Sequence, residues 1–210
     1  MGSRSRGASS GAPGRSGENR RVEDEALTRQ RLVEAAAAEF EEHGYAQSSV
    51  ERIARRAQVS RATFYTHFAG KAELAEGLWD VARVTLMRLY RELARTPARD
   101  TGVFEKWLRK TVAFYRRNRR RLVAVHEAIA LENELAEVYF DHTQEIIDIL
   151  VPLSRPRPGD TEDSARTRVA LLSIQHERFC FLAFLRDVPF NEDEAVRFLA
   201  RTWFEELGSF

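Results

Sequence analysis

The sequence predicts an all-α protein of about nine helices. An N-terminal three-helix unit is joined by a long helix to a larger helical region. From about residue 25 onward, apolar residues recur at intervals of three and four, which is typical of helices packed on one face. The alternation of apolar and polar residues that indicates strands appears nowhere in the chain. Gly, Pro and small polar residues fall between the apolar stripes, where helices begin and end.

Composition and charge narrow the class of protein. The chain has 210 residues with 43% hydrophobic content, which is enough for a real core. Cys180 is its one cysteine, so no intrachain disulfide is possible and a reducing, cytoplasmic location is expected. No apolar run approaches the length of a membrane span. The net charge is +1, but residues 48–71 are locally basic, which favours contact with nucleic acid at one end only.

Residues 1–24 are predicted to form a disordered basic tail. They are rich in Gly, Ser and Arg and contain almost no large apolar residue, so they are unable to bury a core. An alternative stays open, in which the tail is a basic arm that lies in or near a DNA groove and raises affinity without reading much sequence.

Residues 25–72 are predicted to form the three-helix unit. An apolar stripe from Leu27 to Phe40 marks its first helix, and Gly44 ends that helix. This helix is expected to pack under the two short helices that follow it.

The two short helices are separated by a tight turn. Ser48 with Glu51 three residues later has the pattern of a capping box and begins one helix. The apolar pattern breaks at Gln58, and Ser60 is placed to cap a further helix over residues 61–67. The exposed side of that helix holds Arg, Thr, Tyr and His, which suit phosphates and base edges. The segment is therefore predicted to be a helix-turn-helix that binds DNA.

Helical stripes continue to the end of the chain. A long helix is predicted from Lys71 to about Arg95, linking the first unit to the rest. Residues 155–160 form a loop rich in Pro and Arg, and Thr161 begins a helix expected to run to about Arg186. A last helix is expected to begin at Asn191.

The run from Gly44 to Leu74 resembles the DNA-binding signature of the TetR family of transcriptional regulators. The likeness extends in order and without a gap, and with the preceding and following helices it covers the chain from about residue 25. Two positions depart from the family pattern, because Gln58 and Ala62 stand where Gly is usual or frequent. The landmarks are Gly44-Tyr45, Ile53-Ala54, Val59-Ser60, Thr63, Tyr65, His67-Phe68 and Lys71.

The resemblance implies that residues 61–67 are the recognition helix of a homodimer on a palindromic operator. Two such helices would lie about 34–36 Å apart, one turn of double-stranded DNA. Side chains near the start of the helix are expected to reach base edges, and those after it to reach phosphates. For Tyr65 and His67, packing against the first helix is the alternative. The expected DNA-binding residues are Ser49, Ser60, Arg61, Ala62, Thr63, Tyr65, His67 and Lys71.

Residues 73–210 are expected to form a ligand-binding and dimerisation domain. Residues 176–187 resemble the ethionamide-response group of TetR repressors, whose members hold elongated, mostly apolar ligands in a helical channel. The alternative is that aromatic residues at helical spacing simply fill the core. The expected ligand-pocket residues are Trp107, Phe114, Tyr139, His176 and Phe179. The expected dimer-interface residues are Leu172, Phe184, Phe198 and Trp203, which are large and apolar on the last two helices.

The function predicted from these features is a ligand-responsive repressor that leaves its operator when a small, largely apolar effector binds. The long helix from Lys71 would carry the change because it belongs to both units. A regulator that activates, or that needs its ligand as co-repressor, is an open alternative. An α-helical enzyme is a remote one, since no nucleophile–base pair or paired carboxylates are evident. The histidines His126, His142 and His176 do not have the close spacing of metal ligands, and neither metal nor cofactor is expected.

Overall fold

The computed structural model describes residues 15–97 and 99–209. This part of the chain is helical without a β-strand, which confirms the predicted all-α fold, and an isolated antiparallel bridge joins Arg99 to Ser209. None of its helices is long and apolar enough to cross a membrane. The α-helices are α1 (Arg15–Gln47), α2 (Val50–Arg56), α3 (Arg61–His67), α4 (Lys71–Arg95), α5 (Thr101–Arg117), α6 (Arg119–Leu131), α7 (Asn133–Leu150), α8 (Glu162–Cys180) and α9 (Glu192–Leu207).

The first helix begins earlier than the sequence predicts. Residues 15–24, which the composition assigned to a disordered tail, are helical. Charge pairing along the helix contributes to this difference, since Arg21 Nε donates to Glu25 Oε1 at 3.3 Å, one turn further on. The side chains of residues 18–27 are exposed, so this part of α1 extends away from the core. Residues 1–14, the rest of the predicted tail, lie outside the described residues.

Gly44 interrupts α1, as the sequence predicts. Its φ of 76° and ψ of 160° are not helical, and a positive φ favours Gly. A Cβ atom at this position would also lie 3.2 Å from Oε2 of Glu127 on α6. The positive φ therefore favours Gly at this position, and the nearby carboxylate of Glu127 adds to that preference.

The serine that caps α2 differs from the one predicted. Ser49, rather than Ser48, is the N-cap residue, and its Oγ accepts a hydrogen bond from Arg52 N at 3.3 Å. Ser48 is buried, and its Oγ donates to the carbonyl oxygen of Gly44 at 2.7 Å. Adjacent serines offer the same capping chemistry, and the Glu three residues after Ser48 favoured the wrong one of the two.

The turn between α2 and α3 contains the backbone feature expected from the sequence. Gln58 has a φ of 58°, in the left-handed region that disfavours side chains by about 1–2 kcal/mol. The Val59 amide N donates to Ala54 O at 3.0 Å and closes the turn. Ser60 then caps α3 as predicted, its Oγ accepting from Thr63 N at 2.9 Å.

The C-terminal helices surround α4 and α5. α4 packs against α5, α6 and α7, α5 packs along α9, and α6 lies against α1. Thr161 and Asn191 are the N-caps of α8 and α9, as predicted. The helix expected to continue to about Arg186 instead ends at Cys180 and is followed by a π-helical turn, Phe181–Leu185. The wider turn rotates the residues after it relative to the α8 axis.

Candidate DNA-binding surface and effector cleft

The exposed face of α3 is held by two buried aromatic side chains. Phe64 and Phe68 are 0% and 2% exposed, and they anchor the helix against the first unit. Tyr65, the residue after Phe64, has 48% of its surface exposed, so it is not packed in the core. This arrangement fixes a short helix by its apolar side and leaves its polar side accessible.

Arg61 is positioned by contacts on that accessible side. Its Nη1 lies 3.0 Å from Glu51 Oε1 on α2, and its guanidinium carbon lies 5.6 Å from the centroid of the Tyr65 ring. The pKa of Glu51 is lowered, first by backbone hydrogen bonding and then by the charge of Arg61. Because both partners are exposed, this ion pair is weak and leaves Arg61 available to another anion.

The remaining predicted DNA-binding residues lie around the same turn and differ in their exposure to solvent and in the contacts they already make. Ser60 and Ala62 are exposed, and Thr63 and His67 are half-buried. Ser49 is occupied as the cap of α2. These residues form one surface at the end of the molecule, but their contact with DNA stays a prediction.

Lys71 has two intramolecular contacts at the start of α4. Its Nζ donates to the carbonyl oxygen of Tyr45 at 3.0 Å and lies 4.3 Å from the centroid of the Tyr45 ring. A phosphate at this position would therefore share an ammonium group that already stabilises the junction between α1 and α4. An ammonium carries three donors, so both contacts are compatible.

A charged cluster joins α1 to α2 beneath this surface. Glu39 is 2% exposed, with Arg52 Nε at 3.2 Å, Arg56 Nε at 3.8 Å and His43 Nδ1 at 3.5 Å from its carboxylate oxygens. Glu42, which pairs with Arg56, completes a group of three residues whose possible metal-binding atoms lie within 4.8 Å of one another. Glu39 and His43 stand at i, i+4 on α1, a spacing that was not predicted from the sequence as a metal site. The two arginines already neutralise these carboxylates, so the cluster is an ion-pair network that fixes α2 on α1.

Tyr45 connects the DNA-binding unit to the C-terminal helices. Its side chain is 0% exposed, and its phenol donates to Glu132 Oε1 at 2.6 Å, at the end of α6. Its backbone N–H donates to Glu127 Oε2 at 2.8 Å, in the middle of α6. Burial raises the pKa of the Tyr45 phenol, and the neighbouring Glu132 raises it further. α6 is thus bonded to the residue that immediately follows the Gly44 interruption of α1.

Most of the predicted ligand-pocket residues lie in a closed aromatic core. Trp107, Phe114 and His176 are 4%, 1% and 1% exposed, and the centroids of Trp107 and His176 are 5.2 Å apart. His176 Nε2 is 2.8 Å from Thr111 Oγ1, and burial lowers the pKa of His176 to about 4. The imidazole is therefore neutral at neutral pH, with its hydrogen bonds satisfied inside the core.

The other two predicted pocket residues lie apart from this core. The Tyr139 ring packs between Trp79 and His126, with centroid distances of 5.1 and 5.8 Å. Phe179 packs against Phe184 and Phe190. The structure does not bring the five residues together around one described cavity, and a pocket formed by them stays a prediction.

A cleft of about 310 Å³ lies between α6 and the end of α8, next to the Tyr45 junction. It was missed from the sequence because its walls come from segments some 50 residues apart, without a shared local motif. His126 and Glu127 are on the α6 side, and two arginines with Phe181 are on the other. The cleft is lined by Val123, His126, Glu127, Ala130, Arg178, Phe181, Leu185 and Arg186.

The predicted dimer-interface residues need correction. Leu172, Phe184 and Trp203 are 5%, 9% and 0% exposed, so their own protomer covers them and leaves no surface for a partner. Phe198 is 53% exposed and stays available. α8 and α9 each have apolar residues on two faces, and sequence periodicity did not distinguish the inner face from the outer one. The exposed residues that were missed on α8 are Leu171 and Ile174, at 61% and 53%.

Comparisons with known proteins agree with the geometry of the N-terminal unit. Residues 32–78 match the family model of bacterial regulatory proteins, tetR family. The probable acrEF/envCD operon repressor of Escherichia coli is 41% identical over 61 residues, which are 29% of this chain and 28% of that protein. The probable HTH-type transcriptional regulator ArpR of Pseudomonas putida is 29% identical over 134 residues, 61% of this chain and 64% of that protein. This chain thus covers less than two thirds of each relative.

Solved structures share the architecture of nearly the whole chain. NalD, the secondary repressor of the MexAB-OprM multidrug efflux pump in Pseudomonas aeruginosa, has a TM-score of 0.65 at 22% identity, covering 90% of this chain and 100% of that chain. The multidrug binding protein EbrR complexed with ethidium has a TM-score of 0.61 at 21% identity, covering 83% and 97%. At these identities the likeness is one of fold. Residues 32–78 are therefore similar to the N-terminal region of bacterial regulatory proteins of the tetR family, and the chain shares the fold of solved TetR-like regulators.

Proposed function

We propose that this protein is a homodimeric, cytoplasmic transcriptional repressor that releases a palindromic operator when a small, largely apolar effector binds its C-terminal region. The observation that carries the proposal is the connection of two sites. The α3 surface is accessible at one end of the molecule, and Tyr45 links the same unit to Glu127, which lines the cleft beside α6. The proposal includes no enzymatic activity.

The DNA-binding part of the proposal rests on the α3 surface. Arg61 and Tyr65 are exposed on one helix, and the weak pairing of Arg61 with Glu51 leaves the guanidinium ready to exchange one anion for another. Ser60, Ala62 and Thr63 lie at the start of α3, which is the end that enters the major groove in helix-turn-helix proteins. Ser49, His67 and Lys71 flank this end and are assigned to phosphates.

Dimerisation is proposed to use the outer faces of α8 and α9. Leu171, Ile174 and Phe198 are large apolar side chains that the protomer leaves more than half exposed. Burying them against a second copy removes apolar surface from water and provides the two recognition helices that a palindrome needs.

Relatives and neighbours support a regulator that answers to small molecules. One is described as a probable operon repressor, another as the repressor of a multidrug efflux pump, and a third as a multidrug binding protein with ethidium bound. The likeness of residues 176–187 to the ethionamide-response repressors favours a mostly apolar effector, and it is the finer part of the proposal. The same structure would serve a regulator that needs its ligand as co-repressor, and the sign is decided by measurement.

The test of DNA binding uses fluorescence anisotropy with labelled duplexes from the region upstream of the protein's own gene. The wild-type protein is expected to bind one palindrome well above a scrambled duplex, and more weakly as salt rises. Arg61→Ala is expected to lower the affinity about tenfold or more, because a base or phosphate contact is lost. Lys106→Gln, an exposed change on α5, is the control for charge and is expected to bind normally. Equal affinity of the wild type for palindromic and scrambled duplexes would contradict the proposal.

A further inference from the structure

The cleft between α6 and α8 has an apolar interior and a charged rim. Leu185 is 3% exposed, and Val123 is half-buried and packs against the core, so one part of the cleft offers apolar surface to a ligand. Arg178 and Arg186 are exposed and stand at the part that opens to solvent. A ligand that fills this space needs an apolar body and a polar end.

The two guanidinium groups share one aromatic ring. The guanidinium carbon of Arg178 lies 4.8 Å from the centroid of Phe181, and that of Arg186 lies 5.6 Å from the same centroid. Stacking on an aromatic face holds a guanidinium in place and leaves its in-plane N–H donors free to bind an acceptor. Phe181 thus holds two cations at the rim of one cleft.

Nearby carboxylates do little to neutralise these cations. The contact of Arg178 Nε with Glu177 Oε2 is 4.0 Å, at the outer limit of an ion pair. Among the described residues, no carboxylate lies within ion-pair distance of Arg186. Glu127 lines the cleft and its Oε2 accepts the backbone N–H of Tyr45 at 2.8 Å, but in the part of the chain that the structure describes it forms no ion pair with Arg178 or Arg186.

The pKa of the histidine in the cleft is affected by the same two positive charges. The pKa of His126 is lowered to about 4, first by burial and then by the charges of Arg178 and Arg186. The imidazole is therefore neutral at neutral pH, although Glu177 Oε1 lies only 3.8 Å away. A cationic ligand would meet the two guanidinium groups, whereas an anionic ligand would be attracted by them.

We propose that this cleft binds amphipathic anions, with a carboxylate or similar anionic head at Arg178 and Arg186 and an apolar body against Val123, Phe181 and Leu185. The assignment of such an anion as the effector rests on the proposed function, while the binding itself does not. Glu127 belongs to both the cleft and the Tyr45 junction, so an occupant of the cleft touches a residue that holds the DNA-binding unit.

The test uses three probes that share a ring system and differ in charge: 2-naphthoate, 2-naphthamide and 2-naphthylmethylammonium. Isothermal titration calorimetry on the full-length protein is expected to rank them anion, neutral, cation, with at least a tenfold difference in affinity between the first and the last. Decanoate in place of 2-naphthoate determines whether the apolar body is aromatic or aliphatic, and binding of either carboxylate supports the proposal. Equal or tighter binding of the cation would overturn it.

Variants of the rim localise the effect. The double change Arg178→Gln with Arg186→Gln is expected to weaken 2-naphthoate at least tenfold and to leave 2-naphthamide within twofold, which also shows that the cleft has kept its shape. Arg178→Lys with Arg186→Lys keeps the charges and is expected to retain most of the preference for the anion. Lys106→Gln, at an exposed position on α5, is the control for a lost surface charge. Unchanged affinity of the double Gln variant for 2-naphthoate would overturn the proposed site.

The role as effector is measured separately. Addition of 2-naphthoate at saturating concentration is expected to release the wild-type protein from its operator duplex and to have at least tenfold less effect on the double Gln variant. Calorimetric binding without release would contradict the effector assignment and leave the anion site standing. Absence of binding to any duplex would contradict the proposed function without affecting the calorimetric result.

Discussion

The α3 surface and the aromatic core of the C-terminal region arrange their polar groups in opposite ways. Arg61 and Glu51 form an ion pair whose side chains are 63% and 51% exposed. His176 is 1% exposed and satisfies its nitrogens with Thr111 and Tyr90 among aromatic rings. Exposed charges are weakly held and are easily exchanged for a partner's charges, whereas a buried polar network is costly to change.

This difference separates binding from stability along the chain. Substitutions on α3 are expected to alter DNA affinity and to leave unfolding almost unchanged, because surface changes away from caps and packing cost little. Substitutions in the aromatic core are expected to do the reverse. Four measurements, taken from the largest expected effect to the smallest, test whether binding and stability depend on separate residues.

The largest effect is expected from Trp203→Ala. The indole is 0% exposed and its ring centroid lies 4.8 Å from that of Trp107, so truncation leaves a cavity between α5 and α9. The free energy of unfolding should fall by about 3–5 kcal/mol, measured by urea denaturation. Val84→Ala, at a position that is 67% exposed, is the control and should change it by less than about 0.5 kcal/mol. A loss below 1 kcal/mol for Trp203→Ala would contradict the expectation that the aromatic core determines stability.

Acid should destabilise the core through His176. Burial lowers its folded-state pKa from the ordinary 6.5 to about 4, so the unfolded state binds more protons between those two pH values. This contribution to stability is complete above pH 6.5 and falls as the pH drops from 6.5 toward 4. The loss reaches about 3 kcal/mol at pH 4. Urea denaturation at pH 7 and pH 4.5 should show a smaller loss in His176→Gln than in the wild type. The pKa of His126 is lowered in the same way, so His126 adds to the loss of stability in acid. If the double variant His126→Gln with His176→Gln loses as much stability in acid as the wild type, both assignments are contradicted.

Glu127 tests the boundary between the two regions. Glu127→Ala removes the acceptor of the Tyr45 N–H, and the unpaired group should lower the free energy of unfolding by about 1–3 kcal/mol. Glu127→Gln keeps an amide oxygen at the same place and should restore most of the loss. Urea denaturation measures the stability, and effector-induced release from the operator measures the coupling. If both variants release the operator as the wild type does, Glu127 has only a structural role.

The smallest effect is expected at the helix-turn-helix turn. Gln58→Gly should raise the free energy of unfolding by about 1 kcal/mol, since a φ of 58° is disfavoured for residues with a side chain. Gln175→Gly is a matched control with the opposite sign, because it places Gly inside α8 and should lower stability by about 1 kcal/mol. Thermal unfolding followed by circular dichroism measures both. A destabilised Gln58→Gly would mean that the side chain of Gln58 contributes more than its backbone costs.

The local features of the fold were predictable because they depend on neighbours in sequence. The positions of Gly44, Gln58 and Ser60 follow from capping and turn chemistry, and the structure confirms all three. The N-cap of α2 shows the limit of such rules. The sequence predicts Ser48, but Ser49 is the cap and Ser48 is buried, and adjacent serines offer the same capping chemistry. Helices beyond α4 were located by the same local rules.

The site was less predictable because it depends on pairings between distant segments. A period of 3.6 indicates that α8 is helical but does not tell which of its apolar faces is buried. The sequence therefore predicts Leu172 at the dimer interface, although Leu172 is buried and Leu171 is the exposed residue. The bond from Tyr45 N to Glu127 spans 82 positions in the sequence and has no local signature. Of the residues expected to line a pocket, Trp107, Phe114 and His176 fill the aromatic core, whereas Tyr139 and Phe179 lie apart from it.

Glu127 also affects how this protein is able to change over evolutionary time. The cleft has walls of two kinds: Val123, Ala130 and Leu185 offer apolar side chains to an occupant, whereas Glu127 also holds the main chain of Tyr45 and faces Gly44. Under the proposed function, replacing the first kind is expected to alter the preferred ligand and to keep the bond between Glu127 and Tyr45. Ligand preference and coupling to the DNA-binding unit would then depend on different residues of one cleft, so a new effector specificity could evolve while the operator response is kept.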